Sequence, residues 1–391
     1  MTSLSKKNLV IVGSTGFVGR RFCQYLLDQK YYEKCNLIFS ARNIQKLNQI
    51  FPKKDNDPRY ITKTMDTLDP THIGGVLREA HLVANFAGPF DLYAKKVVEY
   101  CAKNGVNYFD ITGEFHFIKK MMDRYGDNAK NSGACLIPFS GFDSIPSEVA
   151  TQKAIKVFRD KFQKDPKKVE HLFQMKGGFN GGTIASAMNF GTKLSLKDIL
   201  NDHYLSGNQT KMRNLPKPKY FKAQKLWGVP FFMESINSKV VFQGLEQLEE
   251  NNLFNQLEYS EHMNISKSLG RFSHSLGNHF FNSFNLLLSK KSGQTFLKPF
   301  LPSAGQGPSE RSVNNGFFKL FSTASDGNDL VSVKLRGLGD PGNKVTVNCI
   351  LSVLDCFIND DSHPSGFCTP YFAFGENLVE NLKRHEIYFE E

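Results

Sequence analysis

Short apolar runs alternate with amphipathic segments over the first part of the chain. Leu9–Val12 is a compact apolar run, and the next stretch, Phe17–Leu27, places Val18, Phe22 and Leu26 on one helical face. The later strand patterns are Asn36–Ser40, Tyr60–Lys63, Leu82–Phe86, Tyr108–Ile111 and Ala134–Pro138. The helical patterns between them are Ile44–Ile50, Ile73–Glu79, Leu92–Lys103 and Phe115–Asn131. This alternation predicts an α/β fold with a doubly wound parallel sheet.

The pattern changes in the middle of the chain. Residues 171–190 and 329–336 favour longer strands of an antiparallel sheet, whereas 205–225 and 301–315 are rich in Pro, Gly, Lys and Asn and favour loops. We therefore expect an inserted second domain of α+β type.

Helical periodicity returns near the C-terminus, at Lys344–Phe357. A turn or short strand at Gly366–Phe374 and a last helix at Glu376–His385 follow, and we expect this tail to pack back on the first domain. The predicted domains are 1–147 for the doubly wound sheet, 148–343 for the insertion and 344–391 for the C-terminal return.

Composition narrows the class of partner. The net charge of +11 favours anionic partners, but the densest basic segments, Lys161–Lys168 and Lys211–Lys225, carry no nucleic-acid motif, so we predict no nucleic-acid partner. The chain has 35 Phe and one Trp. This excess of Phe fits either a Phe-rich core or an apolar ligand cavity or lipid-facing surface.

Cysteine usage and the N-terminus indicate a cytoplasmic chain. The seven cysteines form no CxxC pair, which fits reduced thiols and no zinc site; they are Cys23, Cys35, Cys101, Cys135, Cys349, Cys356 and Cys368. The polar start Met1–Asn8 is not a signal peptide, and no run reaches the ~18 apolar residues of a spanning helix.

A glycine-rich turn joins the first strand to the first helix. It consists of Gly13, Ser14, Thr15, Gly16, Phe17, Val18 and Gly19. Gly13 permits the tight turn, Gly16 lets the backbone approach a pyrophosphate, and Gly19 lets helix and strand pack closely. The helix N-terminus favours the negative charge, so the first domain is predicted to be of Rossmann type and to bind a dinucleotide.

The end of the second strand bears on which dinucleotide binds. NAD enzymes usually place Asp or Glu there, whereas this chain has Ser40 and Arg42 and no acid. Arg42 can pair with a 2′-phosphate in a bidentate manner, and Ser40 can add a hydroxyl. We therefore predict NADP(H), with an ordinary surface cation as the alternative for Arg42.

Three further segments follow predicted strands and are expected at the same edge of the sheet. They are Asn85–Phe90, Asp110–Glu114 and Ser140–Pro146. The residues within them that we expect to line the cofactor are Asn85, Ala87, Gly88, Pro89, Gly113, Gly141 and Phe142. The alternative is that these segments form turns and helix caps without a ligand.

With these motifs the sequence resembles the saccharopine dehydrogenase-like oxidoreductases, a family that includes the bacterial trans-acting enoyl reductases. The matching stretches are Val12–Gly19, Ser40–Asn43, Asn85–Phe90, Tyr108–Glu114, Ser140–Pro146, Gly366–Pro370 with Phe374, and more weakly Gly181–Thr183 with Ser186. The match is poor around 195–330. The resemblance implies a Rossmann domain, an inserted substrate domain, NADP(H) carried by Gly13, Gly16, Gly19 and Arg42, and lipid-related chemistry or lipid-droplet association.

Hydride transfer also needs a proton donor. The candidate catalytic residues are Tyr93, Asp110 and Asp143, and Thr183 is a candidate partner for a substrate carbonyl. Glu114 is a further acidic candidate. Packing, capping or ribose contact is the alternative for each of these side chains.

Residues 272–288 carry apolar side chains at helical spacing, followed by Lys290 and Lys291. This stripe fits an amphipathic helix on a membrane, a core helix or a subunit contact. His274 and His279 are not spaced as a metal pair, and we predict no metal.

Three functions remain open at this stage. The first is an NADPH-dependent reductase of a lipid-like or acyl substrate, and the second is a dehydrogenase of saccharopine type acting on an amino acid. The third is a non-catalytic NADP-binding protein on a membrane or lipid-droplet surface. A homodimer is compatible with each of them.

Overall fold

The structure is a computed structural model that describes residues 6–52, 57–178, 195–206, 210–214, 217–264 and 307–390. Strands β1 to β14 of this part of the chain are Lys7–Val12, Cys35–Ala41, Tyr60–Thr64, Leu82–Asn85, Asn107–Asp110, Cys135–Ile137, Lys168–Lys176, Lys219–Phe221, Leu226–Pro230, Glu258–Asn264, Phe317–Ser325, Leu330–Leu338, Gly366–Phe367 and Ile387–Glu390. Helices α1 to α13 are Phe17–Asp28, Ile44–Ile50, Pro70–Leu77, Phe90–Tyr93, Lys95–Asn104, Phe115–Ser132, Ile145–Phe162, Leu196–Leu200, Glu234–Gln247, Asn251–Gln256, Glu310–Asn314, Thr346–Asn359 and Pro370–Arg384.

The first sheet is parallel throughout and has the order β13-β6-β5-β4-β1-β2-β3. Its first six strands in chain order follow the 3-2-1-4-5-6 arrangement of a Rossmann domain, in which the order reverses between β1 and β4. The predicted α/β fold class, with a doubly wound parallel sheet and a second sheet domain, is confirmed. The edge at which these strands end is called the carboxyl edge below.

The second sheet has the order β14-β12-β11-β7-β10-β9-β8. Five of its six strand pairings are antiparallel, as expected, but the sheet is mixed because β7 and β10 pair in parallel. Parallel neighbours need a crossover, which α9 and α10 provide before β10 begins. Strand β8 and helix α11 also lie in segments that the sequence assigned to loops, because their short patterns are dominated by lysine and by polar residues.

One hydrophobic core connects the two sheets. Phe142, which follows β6, packs edge-on against Phe318 of β11 at 5.1 Å between ring centroids and against Phe173 of β7 at 6.2 Å. The cluster containing these rings also contains the buried side chains of β1. The loop after β6 is therefore anchored in the second sheet as well as in the first.

The C-terminal segment reaches both sheets. Phe357 of α12 stacks on Phe109 of β5, and β13 extends the first sheet beside β6, whereas β14 pairs with β12 of the second sheet. A buried Asp355 accepts hydrogen bonds from Tyr31 at 2.9 Å and from His385 at 2.7 Å. The predicted domain limits themselves stay a prediction.

Candidate functional site

The turn after β1 leaves no room for side chains at its glycines. Gly13 has a φ of +78°, and a Cβ there would lie 3.0 Å from the backbone of both Phe86 and Ala87. A Cβ on Gly19 would lie 2.5 Å from the carbonyl oxygen of Gly13, and one on Gly16 would lie 3.2 Å from the same oxygen. These contacts let α1 start directly against the turn, which is the role expected of the third glycine in a dinucleotide fingerprint.

The N-terminus of α1 is open to an anion. Gly16 is its N-cap and supplies no side-chain acceptor, and the first turn contains no acidic residue. The first backbone N–H groups of this helix are therefore available to a pyrophosphate, which the helix dipole also favours. Thr15 is half-buried beside this end, while Phe17 and Val18 point into the core. The residues present thus fit a bound dinucleotide.

Ser14 and Ser40 are buried beneath the turn. The Ser14 hydroxyl donates to the carbonyl of Ile11 at 2.9 Å, and the Ser40 hydroxyl donates to the same carbonyl at 3.0 Å. The Ser40 carbonyl in turn accepts the N–H groups of Gly13 and Ser14, both at 3.1 Å. The hydroxyl that the sequence assigned to a 2′-phosphate is thus engaged inside the protein, because β2 turns this side chain inward.

Arg42 stands exposed at the carboxyl end of β2. No described acid forms an ion pair with it, and its guanidinium lies 5.6 Å from the ring centre of Tyr93. The structure thus brings Tyr93 to the β2 side of the switch point, beside the residue predicted to hold the 2′-phosphate. In this fold that side belongs to the adenosine half of a dinucleotide, so the position disfavours Tyr93 as a proton donor at the nicotinamide.

A buried hydrogen-bond chain links the ends of β4 and β5. The Asn85 amide donates to the Tyr108 hydroxyl at 3.0 Å and accepts the N–H of Ala87 at 2.9 Å. The Tyr108 hydroxyl donates to Asp110 at 2.6 Å, and Asp110 also accepts the N–H of Thr112 at 3.0 Å. Burial raises the pKa of Asp110 to about 7. Sequence reasoning missed Tyr108, although it shares a strand face with Asp110 two residues on.

Glu114 ties the loop after β5 to the loop after β4. Its carboxylate accepts the N–H of Phe90 at 2.9 Å and that of Asp91 at 3.0 Å, at the start of α4 and directly after the cis peptide between Gly88 and Pro89. Next to it, a Cβ on Gly113 would lie 3.0 Å from the Cδ1 of Ile236 in α9. Glu114 is thus a capping residue, and Gly113 is where the second domain touches this edge.

Asp143 differs from the other acids of the carboxyl edge. It is half-buried, and no group of the described chain donates a hydrogen bond to its carboxylate. Burial raises its pKa to about 6. Burial also raises the pKa of Cys349 in α12, and the charge of Asp143 raises it further.

The loop that carries Asp143 is held on both sides. The N–H of Phe142 donates to the Thr346 hydroxyl at 3.4 Å, and Gly141 faces the methyl group of the same threonine. Phe139, the second residue after β6, has a φ of +62°, an uncommon conformation for a bulky residue and one often found at functional sites. The sequence gives no signal for this conformation, since glycine or asparagine would be the usual choice.

A segment of the second domain rests on the start of α1. A Cβ on Gly307 would lie 2.5 Å from the ring of Phe17, and the guanidinium of Arg21 lies 4.7 Å from the centre of the same ring. Arg21 also forms a two-pronged ion pair with Glu310 of α11, at 2.5 and 3.0 Å. The helix that is predicted to hold the pyrophosphate is therefore braced from the second domain.

Some predicted features lie outside the described residues: Thr183, Ser186, the stripe 272–288, and the histidines 274 and 279. Within the described ranges, no helix combines the length and apolarity needed to cross a membrane. The same ranges hold no group of three or more His, Cys, Asp or Glu side chains suited to a metal ion.

The N-terminal domain matches a known family. Residues 9–137 fit the family described as "Saccharopine dehydrogenase NADP binding domain". The predicted NADP(H) cofactor is confirmed by this match, and so is the resemblance that the sequence motifs indicated.

Curated relatives extend the similarity over nearly the whole chain. A Mycobacterium tuberculosis protein provisionally named a trans-acting enoyl reductase is 24% identical over 96% of this chain and 95% of its own length. The human saccharopine dehydrogenase-like oxidoreductase is 24% identical over 98% of this chain and 96% of its own. The lipid droplet localized protein of Caenorhabditis elegans is 28% identical over 46% of this chain and 44% of its own.

Solved structures share the fold. Saccharopine dehydrogenase (L-Glu forming) from Saccharomyces cerevisiae superposes with a TM-score of 0.56 over 98% of this chain and 99% of its own, at 11% identity. Homospermidine synthase from Legionella pneumophila, solved with NAD, gives 0.56 over 98% and 91%, at 10% identity. At such low identity these likenesses concern architecture alone.

Because α1 approaches the glycine turn so closely, one added methyl group at Gly19 should weaken both folding and NADPH binding. Gly19→Ala places a Cβ against the Gly13 carbonyl, so we expect a loss of about 1–3 kcal/mol in the free energy of unfolding and at least a tenfold loss of NADPH affinity. Gly74→Ala in α3 is the matched control, since nothing lies within 4 Å of its Cβ, and it should be neutral or stabilising. Thermal melts and calorimetric titration measure both, and equal behaviour of the two variants would contradict the close-approach argument.

The exposed guanidinium at the end of β2 predicts cofactor selectivity. Arg42→Ala should weaken NADPH binding by about 1.5–3 kcal/mol, or tenfold and more, and leave NADH binding nearly unchanged, because NADH lacks the 2′-phosphate. Arg78→Ala, an 82% exposed arginine at the opposite edge of the sheet, controls for net charge and should change neither affinity. Equal losses for both nucleotides would refute the assignment of Arg42.

Proposed function

We propose that this chain, which carries a saccharopine dehydrogenase NADP-binding domain, is an NADPH-dependent reductase of a lipid-like or acyl substrate. When bound, the cofactor supplies a hydride to a carbon of the substrate. The chain holds the cofactor through the turn at Gly13, Gly16 and Gly19 and through Arg42. The second domain, predicted at 148–343, covers the carboxyl edge and excludes water from it.

The observation that carries this proposal is the state of Asp143. Its carboxyl lies at the carboxyl edge, is half-buried and receives no hydrogen bond from the described chain. With a pKa of about 6 it is protonated more readily than an ordinary aspartic acid, so it can give a proton to the substrate as the hydride arrives. In the reduction of a C=C or C=O bond, the hydride adds to one atom of the double bond and the proton of Asp143 adds to the other.

The charges around the edge favour an uncharged substrate. The segments Asn85–Phe90, Asp110–Glu114 and Ser140–Pro146 contain three acids and no Lys or Arg. In the second domain Arg213 is paired with Glu234 at 2.9 Å, and the ammonium of Lys239 donates to two backbone carbonyls. An amino-acid dicarboxylate would need free cations here, and the three segments and the two cations named above supply none among the described residues, which favours an uncharged substrate over one of saccharopine type.

The apolar surroundings agree with a lipid-like or acyl substrate. Half-buried apolar side chains of Phe86, Ala87, Ile111, Met175 and Phe232 pack against the core that holds the glycine turn. Apolar side chains of this kind are usual in pockets that accept apolar ligands. The name of the Mycobacterium tuberculosis relative, an enoyl reductase, supports the same substrate class.

A second candidate function is association with a lipid surface. The similarity to a lipid droplet localized protein favours a cytoplasmic protein that associates with a lipid-droplet or membrane surface. Such association is compatible with catalysis, and it would be the whole function if the nicotinamide face were blocked. A homodimer through the second domain remains part of this proposal.

Turnover measurements test the proposal directly. The purified chain is first titrated with NADPH and then given 2-enoyl and carbonyl lipids of increasing chain length while NADPH absorbance is followed. We expect turnover that improves with chain length, and none with 2-oxo dicarboxylates plus lysine. NADPH binding without turnover on any class would overturn the reductase and leave the lipid-surface protein.

The raised pKa of Asp143 predicts the pH dependence. The carboxyl donates only when protonated, so kcat should fall about tenfold per pH unit above about pH 6. In Asp143→Asn we expect kcat to drop about a hundredfold or more and the pH slope to vanish, while the Kd for NADPH stays within about twofold. Asp127→Asn, at an exposed site on α6, is the control and should behave like the native chain.

Thermal melts separate catalysis from folding in this variant. The pKa of Asp143 is raised in the folded state, from 3.8 to about 6, so the native chain loses stability as pH rises between these values and no further above them. Asp143→Asn removes this loss, and its melting temperature relative to the native chain should rise over the same window. A variant that keeps the native pH–rate profile would exclude Asp143 as the acid.

A further inference from the structure

The hairpin of β8 and β9 forms the outer edge of the second sheet. Tyr220 and Trp227 stand directly opposite each other on it, with ring centroids 5.5 Å apart. The Tyr220 side chain is 42% exposed, Trp227 is half-buried, and Trp227 is the only tryptophan of the chain. The Tyr220 ring is thus presented at the rim of the molecule, with the half-buried Trp227 ring beside it.

The opposite face of the same hairpin supplies its anchor. Phe221 and Leu226 are buried and form a small cluster with Leu172 of β7. Because these side chains already attach the hairpin to the sheet, its position does not depend on burying the Tyr220–Trp227 pair. Aromatic residues with a polar tip are enriched where an apolar layer meets water.

Lysines surround the aromatic pair. Lys217, Lys222 and Lys225 are exposed, and no described acid forms an ion pair with any of them. Lys219 is engaged with Glu170 at 2.6 Å. The hairpin therefore carries three free positive charges within nine residues, next to two rings. This combination complements the negative surface of an anionic lipid layer.

A cavity adjoins the base of the hairpin. It has a volume of about 460 Å³ and is lined by Lys217 and Lys219, by Lys211, and by the exposed Met212. Its acids are Glu170, Asp202, Glu234 and Glu258. Glu170 is neutralised by Lys168 and Lys219, and Glu234 is paired with Arg213, which also lies 3.6 Å from Asp202. With five basic and four acidic side chains the lining has a formal charge of only +1, and the exposed Lys217 beside the hairpin has no ion-pair partner among the described residues.

We propose that the β8–β9 hairpin is the surface by which this protein docks on an anionic phospholipid layer. Tyr220 and Trp227 enter the headgroup region, and Lys217, Lys222 and Lys225 contact the lipid phosphates. The inference rests on the proposed association with lipid surfaces and adds which face and which lipid charge are involved. It does not depend on the identity of the reduced substrate.

The single tryptophan gives a direct readout. The full chain is mixed with vesicles of neutral phosphatidylcholine, or of phosphatidylcholine with phosphatidylserine, and Trp227 emission and co-sedimentation are measured. We expect a blue shift and binding only with the anionic vesicles, and quenching by lipids brominated on the acyl chains near the headgroup. Lys222→Glu with Lys225→Glu should weaken binding at least about tenfold. Tyr220→Ser should weaken it while keeping the preference for anionic lipid.

The control reverses two exposed lysines elsewhere, Lys120→Glu with Lys383→Glu, so that net charge changes equally. Equal losses in both double variants would overturn the hairpin and indicate only bulk charge. The proposal would be overturned if the native chain did not bind anionic vesicles, or if it bound them without a shift in Trp227 emission. It would also be overturned if single-stranded RNA quenched Trp227 emission more strongly than brominated vesicles do. NADPH turnover on a soluble short-chain substrate is measured in every variant, so that a failed docking surface is distinguished from a failed reductase.

Discussion

The site depends on how closely α1 can approach the turn after β1. The distance from a Gly19 Cβ to the Gly13 carbonyl would be 2.5 Å, so only a residue without a side chain lets the first turn of the helix sit there. Phe86, directly after β4, packs against both glycines, which places the carboxyl ends of the paired strands β1 and β4 beneath the helix N-terminus. The helix dipole and the unpaired N–H groups then act at the switch point of the sheet, where the fold leaves space for a ligand.

The loops around that point are held by polar groups whose burial has a cost. Asn85, Tyr108 and Asp110 form a chain in which each partner satisfies the next. Burial nevertheless raises the pKa of Asp110, so the folded state favours its protonated form and loses stability as pH rises towards 7. Glu114 fixes the neighbouring loop through two backbone N–H groups. The carboxyl edge is thus shaped before any ligand arrives, which lowers the ordering cost of binding.

The sequence predicts the order of elements in the first sheet well, because alternation of apolar runs and helical periodicity is a local property. It also locates the glycine turn and Arg42, since backbone freedom and charge are carried by single residues. It predicts Ser40 as a ligand contact, whereas the structure buries this hydroxyl against the Ile11 carbonyl, because the direction of a strand-end side chain depends on the packing of β2 against β1. The same limit applies to β8 and to the parallel pairing of β7 with β10, which depend on partners distant in sequence. Thr183 and the stripe 272–288 remain predictions.

Asp110 and Asp143 show why position alone does not assign a role. Both follow strands of the same sheet, and burial raises the pKa of each. One oxygen of Asp110 accepts a tyrosine hydroxyl and the other accepts a backbone N–H. Both oxygens are therefore engaged inside the protein, and the carboxyl is fixed in place. Asp143 has no such partners, and its neighbours Phe142 and Thr346 hold the loop rather than the carboxyl. A carboxyl that is desolvated but free of donors can exchange a proton with a ligand, which is why we propose Asp143 rather than Asp110 as the acid.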